Sequence, residues 1–351
     1  MTLKPVVAGV DIGGTNTRVG ILDPDGGFHG PEAFPTRSSP TVHAYVAALA
    51  EAIASAVRAV HPEARLAGVG VAAPAGNAFD GTIQSPANLT WGTVNIRSEL
   101  QARVGVPVTV ANDAAAAALG EYWYGGGRKT RNCIVVTLGT GLGAGFILDG
   151  QVLLGAHGLA GELGHVVLEP GGRPCGCGRR GCAETYASAT GLRRTLEELL
   201  AQRHEASVLR AVDPAARNAF AIFRAADGGD PLAREAFAVT GRYLGRLLAD
   251  MAAVFDPDVI ILSGGLMNAG SWVLDPTIES FRGHVLPVRR ESVRIIRSGM
   301  TNGGAAMRGA ASLAARAAGA PGVWTEEAGA SSRDAPGSRS RDEGSPIEQK
   351  R

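Results

Sequence analysis

Apolar positions along the chain follow two rhythms. Val42, Tyr45, Val46, Leu49, Ile53, Val57 and Val60 recur at three- and four-residue steps, so they share one helix face. Pro40 and Thr41 stand at its start, as helix-opening residues do. A second such face runs through Phe237, Tyr243, Leu244, Leu247, Leu248, Met251 and Val254 and ends at Asp256-Pro257. Other apolar runs lack helical spacing and close on glycine: VVAGVDIGGTNTRVGILD, IVVTLGTGLGAGFILDG and VIILSGG. These read as strands that turn sharply. Strands alternating with helices predict an α/β fold. Two of the runs are related. DIGGTNTR near Asp11 and TLGTGLGAG near Thr137 each lead into a second strand, which predicts two similar β-hairpins, one per domain.

Composition narrows the function classes. The 351 residues suffice for two compact domains, and 45% hydrophobic with 19% charged residues is an ordinary globular balance. A net charge of +1 without a basic stripe argues against a nucleic-acid partner. No run approaches the roughly 18 apolar residues of a membrane span. The opening MTLKPVVAGVDIGG lacks the apolar stretch and cleavage site of a signal peptide, so a cytoplasmic location is expected. From about Gly319 the residues are small, polar, charged or proline, and this composition predicts a disordered tail over 319–351.

The glycine turns carry the first candidate chemistry. In Asp11-Ile12-Gly13-Gly14-Thr15-Asn16 the glycines let backbone approach a phosphate, and turn N–H groups can donate to it. Thr15 adds a hydroxyl, and Asp11 stands where a metal–phosphate unit could be met. The same residues would also make a plain hairpin turn. The second turn, with Thr140 and Gly141 between Gly139 and Gly143, is by itself equally compatible with a bulged hairpin. Two such hairpins facing one nucleotide are more informative than either. Asn112-Asp113 follows the β-rich VPVTV and precedes an alanine-rich helix, a junction that projects polar groups into a crevice. There Asp113 could take the proton of an attacking hydroxyl, although aspartate is also a favoured helix cap. Ser263-Gly264-Gly265 ends a strand where adenine or ribose could lie.

Of the four cysteines, Cys133 sits in the apolar run CIVVTLG and reads as core. Cys175, Cys177 and Cys182 fall within eight positions, in CGCGRRGC, downstream of His165. In a cytosolic chain such a cluster is more often metal-binding than disulfide-bonded. Three thiolates and one imidazole make the closed tetrahedral set of a structural zinc site. Unligated thiols or a redox pair are the alternatives.

Together DIGGTNTR, AND, TLGTGLGAGFILDG, GAHGLAGELGH, CGCGRRGCAE and ILSGG resemble the ROK family, most of all its bacterial glucokinases, over about residues 5–315. The resemblance implies an actin-like, hexokinase-type (ribonuclease H-like) two-domain fold with an interdomain active-site cleft. Residues 1–115 would form the small domain, completed by a helix at about 305–317. Residues 116–304 would form the large domain with its zinc-binding element at 165–182. The implied activity is ATP-dependent phosphorylation of a hexose, glucose first, with N-acetylmannosamine, mannose, fructose and allose as alternatives. Mg²⁺ and structural Zn²⁺ are the implied metals, polyphosphate an alternative donor, and a homodimer or homotetramer the implied assembly. By resemblance Asp113 is the catalytic base, and Asn88, Asn112, Asp113, Glu162, His165 and Glu184 hold the sugar. His165 would put one ring nitrogen on zinc, beside Cys175, Cys177 and Cys182, and turn the other to a sugar hydroxyl. Gly13, Gly14, Thr15, Thr140 and Gly141 would meet phosphates, Gly264 and Gly265 the nucleoside, and Asp11 the Mg²⁺. Ala115 replaces an asparagine common in these kinases, VAAPAGNAFDG is a loose form of the substrate loop, and NGGAAMRGAA lacks the usual Asn-Asp. Family regulators carry a helix-turn-helix module before the DIGGT motif, whereas here ten residues precede Asp11, so a sugar-responsive regulator is the weaker expectation.

Overall fold

The computed structural model describes residues 5–61, 63–84, 91–300 and 303–320. The first half runs β1 (Pro5–Ile12), β2 (Asn16–Leu22), β3 (Phe28–Pro35), α1 (Val42–Val60), β4 (Arg65–Ala73), α2 (Ile96–Val104) and β5 (Val108–Asn112). Next come α3 (Asp113–Tyr124), β6 (Cys133–Leu138), β7 (Leu142–Leu148), β8 (Gln151–Val152), α4 (Ala189–Gln202) and α5 (Ala219–Asp227). The chain closes with α6 (Pro231–Phe255), β9 (Val259–Ser263), α7 (Ser271–His284), β10 (Arg294–Arg297) and α8 (Gly304–Ala317).

Both helical faces form as their spacing requires. Thr41 caps α1, its Oγ1 accepting from Ala44 N at 3.2 Å. Tyr45, Val46, Leu49, Ile53 and Val57 are buried against the first sheet. Among the described residues α1 alone is long and apolar enough to cross a bilayer, and its apolar face is already spent on this core. Asp230 caps α6 with Pro231 in its first turn, and Asp256 ends it in a left-handed conformation at φ 45°. Val254 departs from the expected face and is exposed. In that last turn Phe255 turns inward instead, 4.5 Å from the Phe146 ring.

The two sheets repeat one pattern, β3-β2-β1-β4-β5 and β10-β9-β6-β7-β8. In each, an antiparallel hairpin carries the glycine turn (β1–β2 and β6–β7), and parallel strands flank it on the other side. The parallel register aligns strand ends. Asp11 pairs with Ala72, Ala73 with Asn112, and Thr137 with Ser263. All the polar strand ends therefore lie at carboxyl edges, where open α/β sheets bind ligands.

Helices α3 and α8 join the sheets through small residues. A methyl group at Gly9 on β1 would lie 2.0 Å from the carbonyl oxygen of Met307 on α8, so only glycine fits. One at Gly120 on α3 would lie 1.9 Å from the carbonyl oxygen of Ala305. An alanine-rich cluster with Ala72, Ala111, Ala116 and Ala306 also takes in Val135 and Ile261 of the second sheet. Cys133, expected in the core, is fully buried here.

The expected tail boundary needs a correction. Ala320 is buried beside Val7, Leu22 and Ala315, and its N–H donates to Ala315 O at 3.0 Å. Gly319 and Ala320 thus pack with α8, because a small apolar side chain fits beside Val7 and Leu22 despite its polar surroundings in sequence. The remainder of that expectation, 321–351, lies outside the described residues.

Candidate active site

Two carboxyls meet at the edge of the first sheet. Asn112 ends β5, and its Oδ1 accepts from Ala114 N at 2.9 Å and Ala115 N at 3.4 Å. The capping role weighed for Asp113 therefore belongs to Asn112, through its Oδ1. Asp113 is the first residue of α3, with Oδ1 2.8 Å from Ala114 N. Burial pushes its carboxyl above the usual range, and the Ala114 N–H pulls the other way. Asp11 is pushed up to about 6, first by burial and then by the charge of Asp113, while Arg18 opposes both. Arg18 stands directly across the β1–β2 hairpin, Nη1 3.7 Å from Asp11 Oδ2. Two half-buried carboxyls that repel each other favour a proton or a cation between them.

The glycine turns flank this pair. In the first, Gly13 N donates to Asn16 O at 3.0 Å, and Thr36 N to Thr15 O at 2.9 Å, while the Thr15 side chain is exposed. In the second, Gly139 N donates to Gly141 O at 3.0 Å. The start of α4 holds it from behind, Ala189 N donating to Gly139 O at 2.9 Å. Gly264 follows β9 at φ 94°, and a side chain there would strike Leu138 O at 2.4 Å. That close approach seats Gly264 and Gly265, both exposed, beside the second turn.

The cysteine–histidine cluster is drawn together by short turns. His165, Cys175, Cys177 and Cys182 present donor atoms that all lie within 4.8 Å of one another. Cys177 Sγ is 3.7 Å from Cys182 Sγ, and Cys175 Sγ is 3.6 Å from His165 Nδ1. Ligands about 2.0–2.3 Å from a tetrahedral zinc stand roughly 3.5–3.8 Å apart, so this donor set fits such an ion. The exposed Cys177 thiol is pulled down to about 6, chiefly by the backbone N–H of Arg179 and then by its guanidinium. Burial pushes Cys175 and Cys182 upward.

Glu184 links this cluster to the second turn. Its Oε1 accepts from Cys175 Sγ at 3.0 Å, and its Oε2 lies against Gly141, 2.7 Å from where a methyl there would sit. His165 turns Nδ1 to the sulfur side, whereas Nε2 lies 3.9 Å from Glu162 Oε2. Asp11, Asn112 and Asp113 thus share one strand-end row, and Glu162, His165, Glu184 and Gly141 share another neighbourhood. Asn88 lies outside the described residues.

Sequence reasoning missed three positions. Arg18 was visible as the hairpin partner of Asp11. Asn77, in the loose VAAPAGNAFDG loop, donates from Nδ2 to His157 O at 3.0 Å and so ties the β4 loop to the segment before Glu162. Gly303 packs on Asp11, since a methyl there would be 2.6 Å from Oδ2. Nothing local in its sequence marked that contact.

Comparison with known proteins agrees with this geometry. The ROK family model matches residues 7–317. A glucokinase of Streptomyces coelicolor is 38% identical over 312 residues, which is 87% of this chain and 96% of the relative. A solved ROK family glucokinase from Streptomyces griseus, in complex with glucose and AMPPNP, superposes with a TM-score of 0.76 at 35% identity, covering 89% of this chain and 99% of that one. The DNA-binding transcriptional dual regulator NagC of Escherichia coli is 34% identical over 209 residues, 59% of this chain and 50% of the regulator.

Proposed function

The chain belongs to the ROK family, and from that premise we propose that it is a glucokinase, moving the γ-phosphoryl group of ATP to the 6-hydroxyl of D-glucose with Asp113 as general base. The observation that carries this reading is the half-buried Asp113 carboxyl at a sheet edge flanked by two glycine hairpins. Asp113 takes the hydroxyl proton as the sugar oxygen bonds to phosphorus, and the bond to the β-phosphate oxygen breaks to release ADP. Phosphoryl transfer asks mainly for positioning and charge stabilisation, with a base for the hydroxyl.

In this reading Asn88, the Asn112 amide, Asp113, Glu162, His165 Nε2 and Glu184 hold the sugar. Gly13, Gly14, Thr15, Thr140 and Gly141 meet the phosphates, and Gly264 and Gly265 the nucleoside. Asp11 would attend a Mg²⁺ ion, which supplies charge neutralisation on the phosphates. Zinc would be held by His165 Nδ1, Cys175, Cys177 and Cys182. Four protein ligands close its shell, so its contribution is to fix the loop that carries Glu184. The small lobe would comprise residues 1–115 with α8 returning to it, and 116–304 the large lobe. A cytoplasmic homodimer or homotetramer without nucleic-acid or membrane partner completes the proposal.

Regulators of the family offer a second reading. The near-complete match to glucokinases, together with Asp113 and both turns, favours the kinase. The test is ADP release from MgATP with glucose, N-acetylmannosamine, mannose, fructose and allose, repeated with polyphosphate as donor. Glucose should give the largest kcat/KM, and no phosphorylation of any sugar would overturn the proposal.

A further inference from the structure

Behind the Gly13–Thr15 turn lies a line of hydroxyls that the reaction above does not use. Thr17, Thr36 and Tyr45 are fully buried. Thr36 Oγ1 donates to the carbonyl of Gly13 at 2.8 Å. It also stands 3.0 Å from Thr17 Oγ1, which stands 2.7 Å from the Tyr45 hydroxyl. Each hydroxyl has one proton, and this fixes every direction. The Gly13 carbonyl can only accept, so the Thr36 proton is spent there. Thr36 must then accept from Thr17, and Thr17 from Tyr45. Burial pushes the Tyr45 phenol well above its usual range, so it keeps the proton that heads the line. Its ring is held by Trp91, with centroids 4.5 Å apart, and by Phe34 at 5.9 Å.

The geometry has a consequence on the far side of the turn. A trans peptide points its N–H opposite to its C=O. Thr36 draws the Gly13 carbonyl to its own side, so the N–H of Gly14 is turned to the opposite side of the peptide, away from Thr36. We propose that Tyr45, Thr17 and Thr36 form a positioning relay that aims the first glycine turn at the nucleotide phosphates. The relay touches no substrate itself, and this inference rests on residues 13–15 being the phosphate turn.

Thr36→Val keeps the side-chain shape and removes the donor. It should raise KM for MgATP about five- to tenfold, the worth of roughly one hydrogen bond, and leave KM for glucose within about twofold. Thr36→Ser restores the hydroxyl and should restore KM. Tyr45→Phe removes only the head of the line and should raise KM for MgATP about two- to threefold, which also covers a Thr36→Val that fails to fold. Thr15→Val serves as the control on the turn itself. If it raises KM for MgATP while Thr36→Val and Tyr45→Phe do not, the relay is refuted and the phosphate turn stands. If Thr15→Val also has no effect, the phosphate-turn reading fails, and the relay with it. Equal increases in both KM values would mark a purely structural role and likewise overturn the proposal.

Discussion

The two glycine hairpins look alike in sequence but are supported differently. The first is held from behind by one backbone bond, Thr36 N on Thr15 O, and by a chain of hydroxyls, with Thr36 Oγ1 on Gly13 O and Thr17 and Tyr45 bonded behind it. The second is held by backbone and by the neighbouring segment, with Ala189 N on Gly139 O and Glu184 Oε2 against Gly141. That segment is itself fastened, since Ser188 Oγ donates to Glu184 O at 2.6 Å and Glu184 meets Cys175. The first hairpin thus depends on a small buried network, and the second on the cysteine loop. A similar turn motif has acquired two means of being aimed, and each is open to separate attack.

The largest expected effect falls on what the hairpins share. Asp113→Asn should lower kcat about 10²–10⁴-fold, the usual worth of a positioned base, while MgATP still binds. A loss below about tenfold in steady-state assays would remove Asp113 from that role. The second hairpin is attacked through the metal loop. Cys177→Ala should reduce glucose-dependent turnover about ten- to a hundredfold, with unchanged far-ultraviolet circular dichroism. Because Glu184 reaches Gly141, KM for MgATP should also rise, though less than KM for glucose. Elemental analysis of wild type should find about one zinc per chain. Metal-free protein with full activity would dissolve the proposed dependence of the second hairpin on the loop.

Packing beneath the hairpins gives the next contrast. Gly9 on the first abuts Met307 O at 2.0 Å, and Gly145 on the second abuts Ala114 O at 2.4 Å, measured from a methyl added at each. Either alanine should cost about 1–3 kcal/mol or more in chemical denaturation, as overpacking does. Gly145→Ala presses on the helix that begins at Asp113, so it should lower kcat in the folded fraction more than Gly9→Ala does. Equal effects on kcat would show that both helices transmit strain to the base.

The smallest expected effect is a gain. The carboxyl of Asp11 is raised from 3.8 to about 6. It is neutral in folded and unfolded chains only well below 3.8, and its burial costs progressively more stability as pH rises from about 4 to about 6, above which the cost is constant. Asp11→Asn should therefore raise Tm at pH 7.5 without nucleotide or divalent cation, and raise it much less at pH 4. The gain should fall short of the ~3 kcal/mol that such an elevation represents, because Arg18 loses its partner. A lower Tm at pH 7.5 would mean that the Arg18 contact outweighs the burial.

Residue type and spacing by themselves determined the helix faces of α1 and α6, both glycine hairpins and the cysteine cluster. These signals are local. A helix face repeats within one or two turns, a hairpin closes over a few residues, and Cys175, Cys177 and Cys182 converge through the glycines between them. Only the tertiary structure decided the rest. Asp11 feels Asp113 because β4 lies between β1 and β5 in parallel register, a pairing across about a hundred residues that no local pattern records. Asn112 rather than Asp113 became the cap because β5 runs one residue further than the junction could specify. Thr36 reaches the first turn, and Tyr45 reaches Thr17 behind it, only because the segment after β3 and α1 fold back over the hairpin. Ala320 is buried because Val7 and Leu22 of the first sheet join Ala315 of α8 around it, a contact that no local pattern records. Burial, charge coupling and hydroxyl direction are set by which elements come within a few ångströms of one another, and packing alone fixes that.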